Sequence, residues 1–447
     1  MPPNRLSLYE SVVPDAQVTA EPVAEGSPDG GAPSAGRRRA IRMMALMGPG
    51  LMVMLADTDA GSVITAAQSG ARYGYQMVLS QVVLIPILYL VQEMTVRLGL
   101  VTGEGHGALI RRIFGTRWAL LSAVTLFVAS VGALLTEFAG LAGVGALVGL
   151  PRGVSIGVPA LAIVVLVLLG RYRRVEVVGI AIGALELLFI PAAIIARPNA
   201  QEMLQGLGNP IQFDTGYLTL LAANVGAVIM PWMVFYQQGA VIDKGRRGLG
   251  LRQALRSSRL NTAIGAVVTQ LVMVAIVVVT AATIGARDPG ASLNSIGDIA
   301  AGLTPFLGRT NAVLLFGLGM VGASVVAALV VALAGAWGMS EVLGWRHSLN
   351  DSPRQALGFY GLAVLGLLAG AVPVLLWPDL IGLSVDVEVM NSMLLPIVLG
   401  FLLALERKAL PPQMQMRGAW RLTTYLLSGI VMALGVYTVL QTLLGNT

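Results

Sequence analysis

Leu55-Ala56-Asp57-Thr58-Asp59-Ala60-Gly61-Ser62 sets two carboxylates inside the first long apolar stretch of the chain. A charge at bilayer depth costs about 3 kcal/mol or more, so each acid there is a functional candidate. Asp57 and Asp59 are two residues apart, about 200° around an ideal helix, and a regular helix would aim them oppositely. Gly61 beside small polar residues lets the backbone unwind. An unwound stretch frees carbonyls that can hold a cation, and it is tolerated only where protein or a cavity lines it. The competing reading is that helix N–H groups or a polar pocket satisfy both acids.

The surroundings of this segment set the class. The 447 residues are 56% hydrophobic and only 12% charged, about half the charge of an ordinary soluble domain. Apolar stretches of bilayer-crossing length predict eleven crossings, at approximately 45–70, 76–98, 118–149, 153–170, 175–196, 217–240, 261–285, 311–338, 356–376, 379–405 and 420–443. The third and tenth read long, which predicts a tilt or a break in each. Residues 1–40, rich in Pro, Gly, Ser and Ala, read as a disordered tail without a secretory signal. The expected division is this tail and a membrane domain over 41–447. The domain comprises one repeat at about 45–196, a second at about 217–405 and an extra helix at about 420–443.

Basic residues orient the chain. With a cytoplasmic N-terminus and an outer C-terminus, 24 of the 29 Lys and Arg fall on the inner side. That bias explains the net charge of +6 without nucleic acid. There is no cysteine, and the two histidines, His106 and His347, fall in loops. Thiolate metal sites, thiol catalysis and an intramembrane histidine cluster are excluded. No loop is large enough for a catalytic or signalling domain and no phosphate-binding loop motif occurs. A gradient-driven carrier is expected, not an enzyme, and no cofactor is expected.

The membrane acids are Asp57, Asp59, Glu93, Glu137, Glu186, Asp386 and Glu388, with no central Lys or Arg to neutralise them. Such a set calls for a missing cation, either metal or protons. In the sixth stretch, Ala227-Val-Ile-Met230-Pro231-Trp232 predicts a second break at Pro231. Ala227 and Met230 share a face there and offer a freed carbonyl and a thioether. Two breaks five crossings apart match an inverted repeat of five plus five crossings.

Gly48-Pro49-Gly50, Asp59-Ala60-Gly61-Ser62 and Ala71-Arg72-Tyr73-Gly74-Tyr75 resemble the first crossing of the natural resistance-associated macrophage protein family of divalent-metal transporters. Ala227-x-x-Met230-Pro231, Glu93 to Gly103, Thr136-Glu137 and Arg174-Val175-Glu176 match it further, so the likeness covers most of 45–405. The resemblance implies an all-α, LeuT-type fold of eleven transmembrane helices, with helices one and six broken. It also implies metal ligands at Asp59, Ser62, Ala227 (carbonyl) and Met230, with Mn²⁺ the first substrate and Fe²⁺ or Mg²⁺ next.

Departures from the family pattern are specific. Ala60 stands for a proline, Ser62 for an asparagine, Gly140 for an acid, and Trp232 and Gln237 for two histidines linked to proton movement. The resemblance therefore weakens the expectation of proton coupling. Asp57 is an additional carboxylate, and Glu388 replaces a polar glutamine near the site. Facing the cavity, both would harden it toward Mg²⁺, as in the related magnesium transporters, whereas Met230 favours softer metals. Glu137, Trp232 and Gln237 are expected close by. The expected partners are divalent metal ions and the lipid bilayer of a prokaryotic plasma membrane. The competing reading is a carrier of the same fold for an amino acid or other organic solute, against which the two acids of the first crossing argue by charge repulsion.

Overall fold

Residues 48–208, 214–246, 249–288, 293, 296–377 and 383–444 are described in the structure, a computed structural model. The expected tail over 1–40 lies outside them. Ten helical stretches are long and apolar enough to cross a bilayer, against eleven expected. The difference lies in the first of them, Ala60–Thr102, whose 43 residues would measure about 65 Å as one helix, twice the hydrocarbon thickness. It doubles back through a tight turn at Gly74–Met77. It thus contains the end of crossing one, Ala60–Tyr73, and all of crossing two, Val78–Thr102. The helix Pro49–Asp57 supplies the start of crossing one.

The remaining crossings are Thr116–Leu147, Arg152–Leu169, Tyr172–Ile195, Thr215–Lys244, Leu251–Gly285, Arg309–Leu343, Leu357–Leu376, Ser384–Lys408 and Gly418–Leu443. Crossings three and ten do not break. Each is one continuous helix, with Pro396 absorbed inside the tenth. Short helices that the hydropathy pattern did not predict occupy the connections at His106–Phe114, Ala200–Leu207 and Ile296–Leu307.

Two acids counted as membrane candidates leave that group. Asp386 lies in the first turn of crossing ten and is exposed. Glu93 is buried but neutralised: Arg97 and Arg259 reach its two oxygens at 3.0 and 2.7 Å. Arg97 also pairs with Glu406 at 3.0 Å and donates to the Met414 carbonyl at 2.6 Å. Crossings two, seven and ten are thereby tied together at the basic face of the molecule.

The second half of crossing six, Pro231–Lys244, is held at the same face. Its residues 231–241 are all buried. Lys244 pairs with Glu176 of crossing five at 3.1 Å, and Asp243 accepts the Leu349 N–H at 2.8 Å. Gln238 bridges to the connection after crossing two, meeting His106 Nδ1 at 3.2 Å and donating to the Glu104 carbonyl at 2.8 Å. Glu341 of crossing eight accepts the Gly107 N–H at 2.8 Å, at the start of the helix that His106 opens.

His106 is fully buried, with its ring edge on Phe235. Burial disfavours its charged form and pushes its pKa down to about 4. An unfolded histidine titrates near 6.5, so below that pH the unfolded chain binds a proton the folded one refuses. The contribution of His106 is complete above the unfolded value and is lost as pH falls toward 4. Thermal unfolding in detergent should show stability falling by about 2 kcal/mol more between pH 7 and pH 5 in the native chain than in His106→Gln. Equal pH dependence of the two proteins would refute the buried, neutral imidazole.

Candidate functional site

Crossing one is helical to Asp57 and resumes at Ala60. Asp59 has extended backbone at φ −78°, ψ 175°, and its carboxylate Oδ1 accepts the Ser62 N–H at 2.7 Å. It is therefore the N-cap of the second half, which explains why a helix restarts after a two-residue gap. Thr58 is fixed sideways by a 2.7 Å hydroxyl–hydroxyl bond to Thr269 of crossing seven. Crossing six is helical to Val228 and resumes at Pro231, with Met230 as the extended cap residue. Proline is at home in that first position, where its missing N–H costs nothing.

The two gaps meet. Ser62 Oγ donates to the Ala227 carbonyl at 3.0 Å, joining crossing one to the last helical turn before the second gap. Crossing ten closes the group from a third side. Glu388 Oε1 lies against Gly61, and its main-chain carbonyl lies against Gly226. A methyl group on Gly226 would collide with the backbone of crossing ten, so that position depends on the absence of a side chain, whereas one on Gly61 would displace the Glu388 carboxylate. Glu388 Oε2 accepts from Asn391 Nδ2 at 3.0 Å. Crossing three contributes Glu137, whose Oε2 accepts the Ala60 N–H at 3.2 Å.

Asp57, Asp59, Ser62, Ala227, Met230, Glu137 and Glu388 are all essentially inaccessible to solvent. Asp59 Oδ2, Glu388 Oε1, Glu137 Oε1 and both oxygens of Asp57 carry no hydrogen bond. Buried polar groups almost always do, so these carboxylate oxygens stand out as unsatisfied acceptors gathered at the gaps. Among the described residues no cluster of three or more His, Cys, Asp or Glu forms a metal cage. The donors gathered here are instead mixed: carboxylates, a main-chain carbonyl, a hydroxyl and, at the second gap, a thioether.

Asp57 interacts electrostatically with Asp59 and Glu388. The sequence reading gave Glu186 no place in the site, but it interacts electrostatically with Asp57 from crossing five. It sits in a tightened turn, Ala184–Leu188, one turn beyond Gly183, which packs on Leu55. Both Glu186 oxygens are buried without a hydrogen bond. Its membrane depth was legible; its direction was not. Trp232 is buried one residue beyond Pro231 with its Nε1 unbonded. Gln237 lies lower, toward the basic face, donating to Thr262 of crossing seven at 3.4 Å, and takes no direct part in joining the gaps.

The helix ends at the gaps have an electrostatic sense. Helix N-termini attract anions and C-termini attract cations. Two C-terminal ends, at Asp57 and Val228, and two N-terminal ends, at Ala60 and Pro231, converge on this place. The Asp59 carboxylate already occupies the first N-terminus, and the second begins with a residue that has no N–H. The carbonyl ends and the unbonded carboxylate oxygens favour a cation over an anion.

This arrangement belongs to the inverted-repeat, broken-helix membrane proteins, the architecture of many secondary transporters. The Natural resistance-associated macrophage protein-like family matches residues 50–441, and the chain belongs to that family. Its relatives include the divalent metal cation transporter MntH of Acidiphilium cryptum, 27% identical over 91% of this chain and 92% of that one. Another is the metal transporter Nramp3 of rice, 24% identical over 55% and 46%. Among solved structures, the manganese transporter of Eremococcus coleocola superposes with a TM-score of 0.75 at 18% identity, over 92% of this chain and 88% of that one. MhsT in complex with L-phenylalanine gives 0.55 at 14% identity, over 88% and 98%, so the fold alone does not select the solute.

Two departures from the family pattern have local reasons. Ala60 keeps the N–H that Glu137 accepts, which a proline would lack. A side chain at Gly140 would run into Ala60 and Ser324 at 2.7 and 2.9 Å, so an acid has no room there.

Gly226 supplies a test of this packing. Gly226→Ala should cost about 1–3 kcal/mol through the clash with the backbone of crossing ten, read as a lowered Tm in detergent. Gly400→Ala, in the same crossing ten but with open space around it, should leave Tm unchanged or raised. Equal behaviour of the two variants would refute the close approach of crossings six and ten.

Proposed function

We infer that this protein transports divalent metal ions by alternating access around the paired gaps. Asp59, Ser62 Oγ, the Ala227 carbonyl and the Met230 thioether act as ligands, with Glu388 as a second carboxylate. The observation that carries this reading is the Asp59 carboxylate. One oxygen caps its own helix at 2.7 Å, and the other is buried without a partner. An amino-acid carrier of this fold would present that helix N-terminus to the substrate carboxylate; here the protein's own acid stands in that place.

Asp59 and Glu388 together balance one doubly charged ion, which makes its entry into a low-dielectric interior affordable. The ion replaces the missing hydrogen bonds of both acids, while the Ala227 carbonyl, already oriented by Ser62, has a second lone pair to offer. Met230 supplies the soft ligand that favours Mn²⁺ and Fe²⁺ over Mg²⁺. Extra carboxylate oxygen at Glu388 and Asp57 pulls toward harder ions, so Mn²⁺ is the first substrate and Mg²⁺ remains within reach. Trp232 and Gln237 do not titrate and relay no protons. No resident cofactor enters the cycle.

Alternating access requires the half-helices at one face to swing while the other face stays closed. The bonds of Pro231–Lys244 to Glu176, Leu349 and His106 hold the basic face shut. That face is cytoplasmic by its excess of Lys and Arg, in the plasma membrane of a prokaryote, so release inward requires these bonds to part.

Asp59→Ala should reduce Mn²⁺ uptake into proteoliposomes to the level of empty vesicles; uptake at the native rate would remove Asp59 from the site. Calorimetric titration separates the ligand roles. Met230→Ala should weaken Mn²⁺ binding roughly tenfold and Mg²⁺ binding little, and equal losses for both metals would show that the sulfur does not touch the ion.

A further inference from the structure

We propose that the first turn of crossing five carries a binding site for an anionic phospholipid of the leaflet at the basic face. A shallow groove of about 360 Å³ is lined there by Arg171, Arg173, Arg174, Val177 and Val178. The combination is selective in its chemistry. Arg171 and Arg174, three positions apart and so on one side of the turn, suit a phosphate at the edge of this groove, to which arginine binds through paired N–H donors. Val177 and Val178, 46% and 37% exposed, lie one turn farther along the helix, where they offer an apolar wall to acyl chains. A free anion has no use for that wall, and a neutral lipid has no use for the arginines.

Position supports the same ligand. Crossings four and five are joined by a connection so short that Leu169, Gly170 and Arg171 turn the chain at the membrane surface. Leu169 is 74% exposed, as a residue beside lipid should be. The groove opens at the N-terminus of the helix Tyr172–Gly183, whose cap residue Arg171 makes no side-chain capping bond, so main-chain N–H groups add to the positive field. The opposite side of this turn is buried. Tyr172 donates to Glu176 at 3.3 Å, and Glu176 pairs with Lys244 at the end of crossing six. A headgroup on the outer side therefore steadies the same helical turn that anchors crossing six from the inner side.

The test uses the full chain in detergent with a fluorescent phosphatidylglycerol as probe. Unlabelled phosphatidylglycerol should displace the probe, whereas phosphatidylcholine and inorganic phosphate at equal concentration should not. The double variant Arg171→Gln/Arg174→Gln should bind the probe roughly tenfold more weakly. Arg171→Lys/Arg174→Lys should retain most of the binding, and Arg309→Gln, on the other face, should match the native chain. Displacement by phosphatidylcholine as effective as by phosphatidylglycerol overturns the proposal, as does native-strength binding by the Gln variant. Equal displacement by phosphate shows a free-anion site and overturns it as well. Should the Gln variant fail to fold, the native chain decides. Release of the probe by added salt supports the arginine–headgroup contact, and salt-insensitive binding overturns it. The readout is lipid binding, so it stands apart from whether the chain moves metal.

Discussion

The short bridge from Asp59 through Ser62 to Ala227 is the constraint on which the rest of the molecule turns. One residue, Ser62, gives its N–H to the carboxylate of its own crossing and its hydroxyl to a carbonyl of another. The first bond makes interruption of a membrane helix tolerable, because it satisfies a donor that hydrocarbon cannot. The second joins that interruption to its counterpart in crossing six. Crossing ten then has to approach closely enough for Glu388 to sit against two glycines, and crossing three has to deliver Glu137 to the restarted helix. Four crossings, one, three, six and ten, meet around one buried, half-bonded acid.

The same rule, that charge inside the protein must be answered, has two different outcomes in this chain. At the basic face three buried acids have a cation, while Glu341 is answered by the Gly107 N–H. Glu93 has Arg97 and Arg259, Glu406 has Arg97, and Glu176 has Lys244. Breaking a pair buried on both sides, such as Arg97–Glu406, by removing one member costs about 3–5 kcal/mol, so these contacts hold helices in place. At the gaps none of the acids pairs with a basic side chain among the described residues, and acids of crossings one, three, five and ten interact with one another electrostatically. The first arrangement is structural, and the second is the one on which the proposed transport of a divalent ion rests. Burial is the same in both, and only the partner distinguishes them.

Much of this was legible from residue order. Crossing lengths follow from bilayer thickness. The two gaps follow from paired acids beside Gly61 and from Pro231. Other features were misread for identifiable reasons. Glu93 has one partner that residue order already offered, Arg97 one helical turn on, and a second, Arg259, that is distant in sequence and reaches it from crossing seven. Asp386 looked buried because hydropathy does not locate the first turn of a crossing. Glu186 and Asp57 lie far apart along the chain, and their mutual approach depends on the rotation of crossing five. Gln237 stands where the resemblance implied a proton-linked residue but bonds to Thr262, below the gaps.

The sequence by itself determined what must be buried and where the backbone is permitted to part from its helix, because both follow from local chemistry: transfer cost per residue, capping and the missing N–H of proline. Tertiary structure alone decided which acids would be answered and by whom. That outcome depends on helix rotation and on approaches of a few ångströms between segments that are distant in sequence, and no local property of the chain encodes them.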